Sequence, residues 1–167
     1  ALVAVVGWVS AAGDQSPHLM VRKAAEERMR ELRQLSRLDE IARRVTDAVS
    51  DVYEVVKNDR HSDIPLVHKT ETLQLPMRLV TEAEYNAAKK AMATEKKFRR
   101  KLWYGRTVDR YEQQKTNPNP THNAEIHVIR LGDAAICTNP FELFVDYGVQ
   151  MEARSQAVQT FVVQLAG

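Results

Sequence analysis

The sequence predicts a mixed α/β fold, and three observations carry that expectation. Apolar runs open and close the chain, at Leu2 to Val9 and Val158 to Leu165, each reading as a buried strand. Between Lys23 and Val56 apolar residues recur at helical spacing against a face crowded with Glu and Arg. From Glu125 to Cys137 two strand-like runs flank Gly132-Asp133, the pattern of a hairpin. The order is strand, long helix, strand, helices, hairpin, helix, strand. That order predicts a sheet with both parallel and antiparallel pairing, flanked by long helices.

Composition narrows the classes. The 167 residues are 44% hydrophobic and 28% charged, as in a folded soluble domain or a part of one; a disordered or collagen-like chain is excluded. One cysteine excludes an intramolecular disulfide and an all-cysteine metal site. The 24 basic and 22 acidic residues leave a formal charge of +2, so no global pull toward nucleic acid is expected. The opening run is too short to span a membrane and lacks a basic leader, so no transmembrane segment and no usable signal peptide are expected. A chain that opens inside a core strand reads as a fragment, or as a chain whose first part is missing.

Each element has a local reason. After the first strand, Ala12 to Gln15 form a loop, and Ser16-Pro17 suit a helix start with Ser at N-cap and Pro at N1. Leu38, Ile41, Val45, Ala48, Val52 and Val55 alternate steps of three and four, and Ala25, Met29 and Leu32 carry a similar stripe upstream. The stretch reads as one helix of about 50 Å, or as two with a break at Ser36, which can cap with Asp39 at N3. Leu66 to Val80 favours strand, with Pro76 arguing for an edge or bulge. Thr81 and Glu84 form a capping box for a helix that buries Tyr85, Ala88, Met92 and Phe98 or Leu102. Lys96 to Lys101 reads as the solvated C-terminal end of that helix, where cations suit the dipole. Another helical stretch is expected around Thr107 to Gln114, followed by a loop at Asn117 to Thr121. Asn139 at N-cap, Pro140 at N1 and Glu142 at N3 then open a helix with Phe141, Phe144, Val145 and Gly148 inward.

Chemistry is expected at two strand-to-helix junctions, because ligands of α/β sheets bind beyond the carboxyl ends of strands. At the first, Gly13 permits a tight bend and Ser16 presents a hydroxyl beside free backbone N–H groups. Such a place can hold a nucleophile or steady an oxyanion, and it can equally be a helix cap with Asp14 bonding its own loop. His18 stands two residues from Ser16. At the second, Glu142 is either a capping carboxylate or a rigid metal ligand, since zinc accepts carboxylate oxygen beside imidazole nitrogen. The histidines, His18, His61, His68, His122 and His127, lack the spacing of a zinc helix, so the chain alone makes a poor metal site. Cys137 reads as a core thiol.

Gly13-Asp14-Gln15-Ser16-Pro17-His18, followed by the Arg/Glu-rich helix, and Asn139-Pro140-Phe141-Glu142 within Leu131 to Gly148, resemble the neutral/alkaline, non-lysosomal ceramidase family. The likeness is to its bacterial members of unassigned substrate, covers most of the chain, and implies that residues 1–167 are part of a single catalytic domain of this type. It implies a zinc amidase that hydrolyses the N-acyl linkage of ceramide or another N-acyl amide. Ser16 then falls on the catalytic serine and Glu142 on the glutamate zinc ligand, with Gly13, Asp14 and His18 supporting the loop or substrate. The family's other ligands, two histidines and a tyrosine, fall before Ala1 and after Gly167. The family has Asn where this chain has His18, a departure that bears on substrate. The resemblance also implies export, to the periplasm or beyond. Apolar surface left by absent parts is expected to contact those parts or another copy. The rival readings are an amidase or esterase acting on a smaller polar substrate, and a non-enzymatic structural domain in which Ser16 and Glu142 only cap helices.

Overall fold

Ser36 divides the first helical stretch in two. α1 spans Lys23–Leu32 and α2 spans Arg37–Val56. The Ser36 hydroxyl accepts from the Asp39 N–H at 3.2 Å, and the Asp39 carboxylate accepts from the Ser36 N–H at 3.2 Å. Two backbone donors that a helix start leaves orphaned are thereby satisfied. The structure is a computed structural model, and it describes residues 5–16 and 20–166. Beyond α2 come β1 (Leu66–Pro76), α3 (Glu82–Thr94), α4 (Phe98–Thr116), β2 (Thr121–Leu131), β3 (Ala134–Thr138), α5 (Val145–Arg154) and β4 (Gln159–Val163).

The four strands form one sheet in the order β1-β2-β3-β4. β2 and β3 pair antiparallel, with Leu131 opposite Ala134 across the two-residue turn. Gly132 takes φ +61 there, a left-handed conformation that suits glycine. β3 and β4 pair parallel, joined by the crossover that contains α5. The fold is therefore α/β with a mixed sheet, as expected.

The chain divides into two compact units. One is built from the chain up to Lys69 together with His127–Ala166, and the other from Thr70–Ile126. The boundaries fall inside β1 and β2.

In the first unit, the expected opening strand is corrected over its described part. Val5 to Val9 carry no strand assignment, and Val5, Val6 and Val9 are exposed. Leu2 to Ala4 lie outside the described residues. The segment still runs beside β4: the Gln164 N–H donates to the Val9 carbonyl at 2.9 Å, and the Trp8 and Phe161 rings meet edge to face at 5.8 Å. β4 alternates instead of being buried throughout. Thr160 and Val162 point inward, whereas Phe161 is exposed, and so are Val158 and Leu165 just outside the strand. Ala11 is buried against Gly148 of α5, where an added Cβ would lie 2.8 Å from the Ala11 Cβ.

The apolar stripe of α2 is not in a core. Leu38, Ile41, Val45, Val52 and Val55 are all exposed, and the buried residue of this helix is Glu40. Glu40 accepts from Arg33, Arg43 and Arg44, and Arg44 also reaches Glu26 of α1 at 2.7 Å. A carboxylate sinks here because three guanidiniums surround it.

In the second unit, α3 and α4 pack as an antiparallel hairpin. Tyr85 stacks on Tyr111 with centroids 4.3 Å apart, and Met92 reaches Gly105 nearer the tip. The Thr81–Glu84 capping box forms as expected, and Ala88 is buried. Gln114 fixes the hairpin's base by bonding both backbone groups of Val80, at 2.9 and 2.6 Å. Two expectations fail at the tip. α3 ends at Thr94, and Lys96 and Lys97 lead into α4, whose first turn holds Arg99 to Lys101, so the basic tract does not end α3. Phe98 and Leu102 are exposed, not buried.

Candidate functional site

The two junctions singled out by the sequence touch one another. The Gly13 N–H donates to the Leu143 carbonyl at 2.7 Å. A Cβ placed on Gly13 would stand 2.7 Å from the Glu142 carbonyl oxygen and 3.0 Å from the Glu142 Cγ. A bare backbone is therefore required at position 13 for the two segments to meet. The next residue locks the contact. The Asp14 Oδ1 accepts from the Val145 N–H at 2.8 Å, across 131 residues of sequence. Val145 opens α5, whose own N-cap residue, Phe144, supplies no side-chain cap. Asp14 thus caps α5 from another part of the chain. The Val145 N–H holds the Asp14 carboxyl below the ordinary carboxylate range, with burial opposing it.

Glu142 is corrected in its setting. It lies in the irregular segment that precedes α5, not in the first turn of a helix, and it is exposed. The Asn139-Pro140 pair that imitates a helix start does something else. The Asn139 Oδ1 accepts from the Phe141 N–H at 3.0 Å, and its Nδ2 donates to the Val163 carbonyl at 3.3 Å. Its backbone bonds Val163 and Ala166, so Asn139 fastens the segment to the end of β4. Phe144 and Val145 are exposed, contrary to the inward face expected of them.

Ser16 is exposed and follows a turn closed by the Gln15 N–H on the Ala12 carbonyl at 2.9 Å. It is not the cap of α1. That helix begins at Lys23 behind Arg22, which takes φ 54 and offers no side-chain cap. Pro17 and His18, and the roles expected of them, lie outside the described residues.

Among the described residues no group of three or more His, Cys, Asp or Glu side chains is arranged to hold a metal ion. Glu142 belongs to no such group among the described residues. Cys137 is half-buried in β3, and burial pushes its thiol up, as suits a packing residue. Two polar atoms near the sheet end, Thr138 Oγ1 and Gln164 Oε1, are buried without a hydrogen-bond partner. The sequence could not single these out, because their burial depends on pairing between β3 and β4.

A second juxtaposition also escaped the sequence. The His68 Nε2 and His127 Nδ1 are 3.0 Å apart, on β1 and β2, with ring planes at 19° and centroids 5.2 Å apart. The centroids are much farther apart than the nitrogens, so the rings meet edge to edge. One nitrogen donates and the other accepts. Only strand register brings these residues together.

No family model, no curated protein and no solved structure matches the chain.

Proposed function

We propose that the chain carries part of the catalytic domain of a zinc-dependent amide hydrolase of the ceramidase type, cleaving an N-acyl linkage. One observation supports this reading above the others: Gly13 and Asp14 of the serine-bearing segment lie directly against Glu142 to Val145 of the glutamate-bearing segment. In this reading Ser16 is the nucleophile or hydrogen-bonds the reacting group, and Glu142 contributes one zinc ligand. The resemblance assigns the remaining ligands to sequence beyond this chain. Zinc would polarise the amide carbonyl and acidify a bound water. The exposed position of Ser16 leaves its hydroxyl accessible to a substrate, and Asp14 holds its loop by bonding α5 instead of taking part in proton transfer. The exposed apolar stripe of α2 is proposed to contact another part of the protein or another copy. A specific observation favours the structural alternative: Gly13 and Asp14 are fully explained by packing and capping. His18 in place of the family's Asn favours the rival amidase with a smaller substrate.

The test uses the full-length protein. Stoichiometric zinc is expected, with hydrolysis of a short-chain fluorescent ceramide that falls at least about a hundredfold in Ser16→Ala. Glu142→Ala is expected to lose metal and activity together. Absence of zinc would leave the structural reading. Bound zinc with turnover of simple N-acyl amides, but not of ceramide, would shift the substrate to the smaller class.

A further inference from the structure

We propose that the tip of the α3–α4 hairpin is a docking surface for an anionic lipid bilayer. The proposal concerns Thr70–Ile126 alone and does not depend on the hydrolase reading.

Charge is the first argument. Lys96, Lys97, Arg99, Arg100 and Lys101 are all exposed, and none has an ion-pair partner among the described residues. Between Glu84 and Asp109 the sequence holds eight Lys and Arg residues and one acid, Glu95. Glu95 is engaged by the Lys97 backbone N–H at 2.8 Å. The opposite end of the hairpin carries acids that are already paired, Glu84 with Arg78 and Glu112 with Lys115. The hairpin is thus strongly basic at one end.

The placement of that charge is the second argument. Arg99, Arg100 and Lys101 lie in the first turn of α4, behind Lys97 at its N-cap and Lys96 just before it, and that turn contains no acidic residue. The helix dipole puts partial positive charge at this end, so each cation here opposes it. Folding alone gains nothing from the arrangement, and a negatively charged surface relieves it. Local rules broken without an internal compensation point to an external partner.

The apolar side chains identify the partner. Phe98 is 79% exposed, Trp103 64% and Leu102 47%, all within the same basic stretch. Phe98 and Leu102 lie one helical turn apart and form a single apolar strip flanked by cations. Lys and Arg heads above an apolar strip, with Trp at the boundary, match the polar and acyl layers of a membrane surface. Nucleic acid would use the aromatic rings for stacking and has no use for the aliphatic Leu102. No helix among the described residues is long and apolar enough to cross a membrane, so the contact is peripheral.

The experiment measures partition of the whole chain onto phosphatidylcholine vesicles with and without phosphatidylserine. Trp8→Phe leaves Trp103 as the sole tryptophan reporter. Binding to the phosphatidylserine vesicles is expected to exceed that to neutral vesicles by at least about tenfold, and to weaken as salt is raised. Trp103 emission is expected to shift blue and to be quenched by brominated acyl chains. The pair Arg99→Glu and Arg100→Glu is expected to reduce partition about a hundredfold. Its thermal unfolding should be undiminished, because acids suit a helix start. Phe98→Ser with Leu102→Ser is expected to reduce partition about tenfold without changing its salt dependence. Equal binding to both vesicles, binding that survives the charge reversal, or binding without a Trp103 response would overturn the proposal. So would capture of a single-stranded RNA oligonucleotide when anionic vesicles are not bound.

Discussion

Gly13 cannot carry a side chain unless backbone moves. The atom that a Cβ would meet is the Glu142 carbonyl oxygen at 2.7 Å, which no rotamer change relieves. Gly13→Ala is therefore expected to destabilise the first unit by about 1–3 kcal/mol, the usual cost of forcing extra volume into a fitted contact. The urea midpoint would report it, and an unchanged midpoint would show that the two segments part freely. Asp14 shows why a sequence reading of such a residue is incomplete. Its type announces a cap, and it is one, but for a helix 131 residues away. No local pattern identifies that recipient. Asn139-Pro140 misleads for the complementary reason. The pair has the form of a helix start, yet Val163 and Ala166 claim its backbone groups, and α5 begins later at Val145.

Elements whose ends are set by neighbours in sequence were legible. Ser36 with Asp39 and Thr81 with Glu84 each satisfy orphan donors within four residues, and both boxes form. The end of α3 was not legible. Lys97 stands at the N-cap of α4 without a side-chain cap bond, so the break after Thr94 carries no signal of the usual kind. The α1–α2 junction also has a consequence for acid stability. Hydrogen bonds from Arg43 and then Arg44 lower Glu40 from the ordinary 4.5 to about 2. The folded state therefore prefers the ionised form. That contribution is complete above about pH 4.5 and is lost as pH falls toward 2. Glu84 is also lowered to about 2, chiefly by the Thr81 backbone, so the two groups titrate in one window. Comparison with Glu40→Gln isolates the first. The stability difference between parent and variant should shrink steadily from pH 4.5 to 2, as read from urea midpoints. Parallel profiles would show that the guanidinium cluster adds nothing to folding.

At the scale of the whole molecule, the sequence conveyed class and pairing but not burial. Helical periods over α1 and α2 and strand periods over β2, β3 and β4 appear where they were expected, because each is a property of a short window, whereas the apolar run from Val5 to Val9 forms no strand. Which apolar face finds a partner is a property of the assembled chain. The stripe from Leu38 to Val55 has the right period and remains exposed, whereas small residues such as Ala11, Ala88 and Ala124 are buried.

The chain leaves the sheet at the end of β1 and re-enters it at the start of the neighbouring β2, and the stem of this excursion is closed by the Met77 N–H on the Pro120 carbonyl at 2.8 Å. That is one of the two bonds that frame a tight reversal, and proline, lacking an N–H, cannot make the other. A two-residue turn therefore fits this stem in place of the helical pair. Replacing residues 78–119 with Asn-Gly is expected to leave helices α1, α2 and α5 folded, as amide exchange would show, and loss of protection in α5 would count against it. The basic, aromatic tip could then be gained, lost or exchanged between lineages while the junction of Gly13 with Glu142 stays in place.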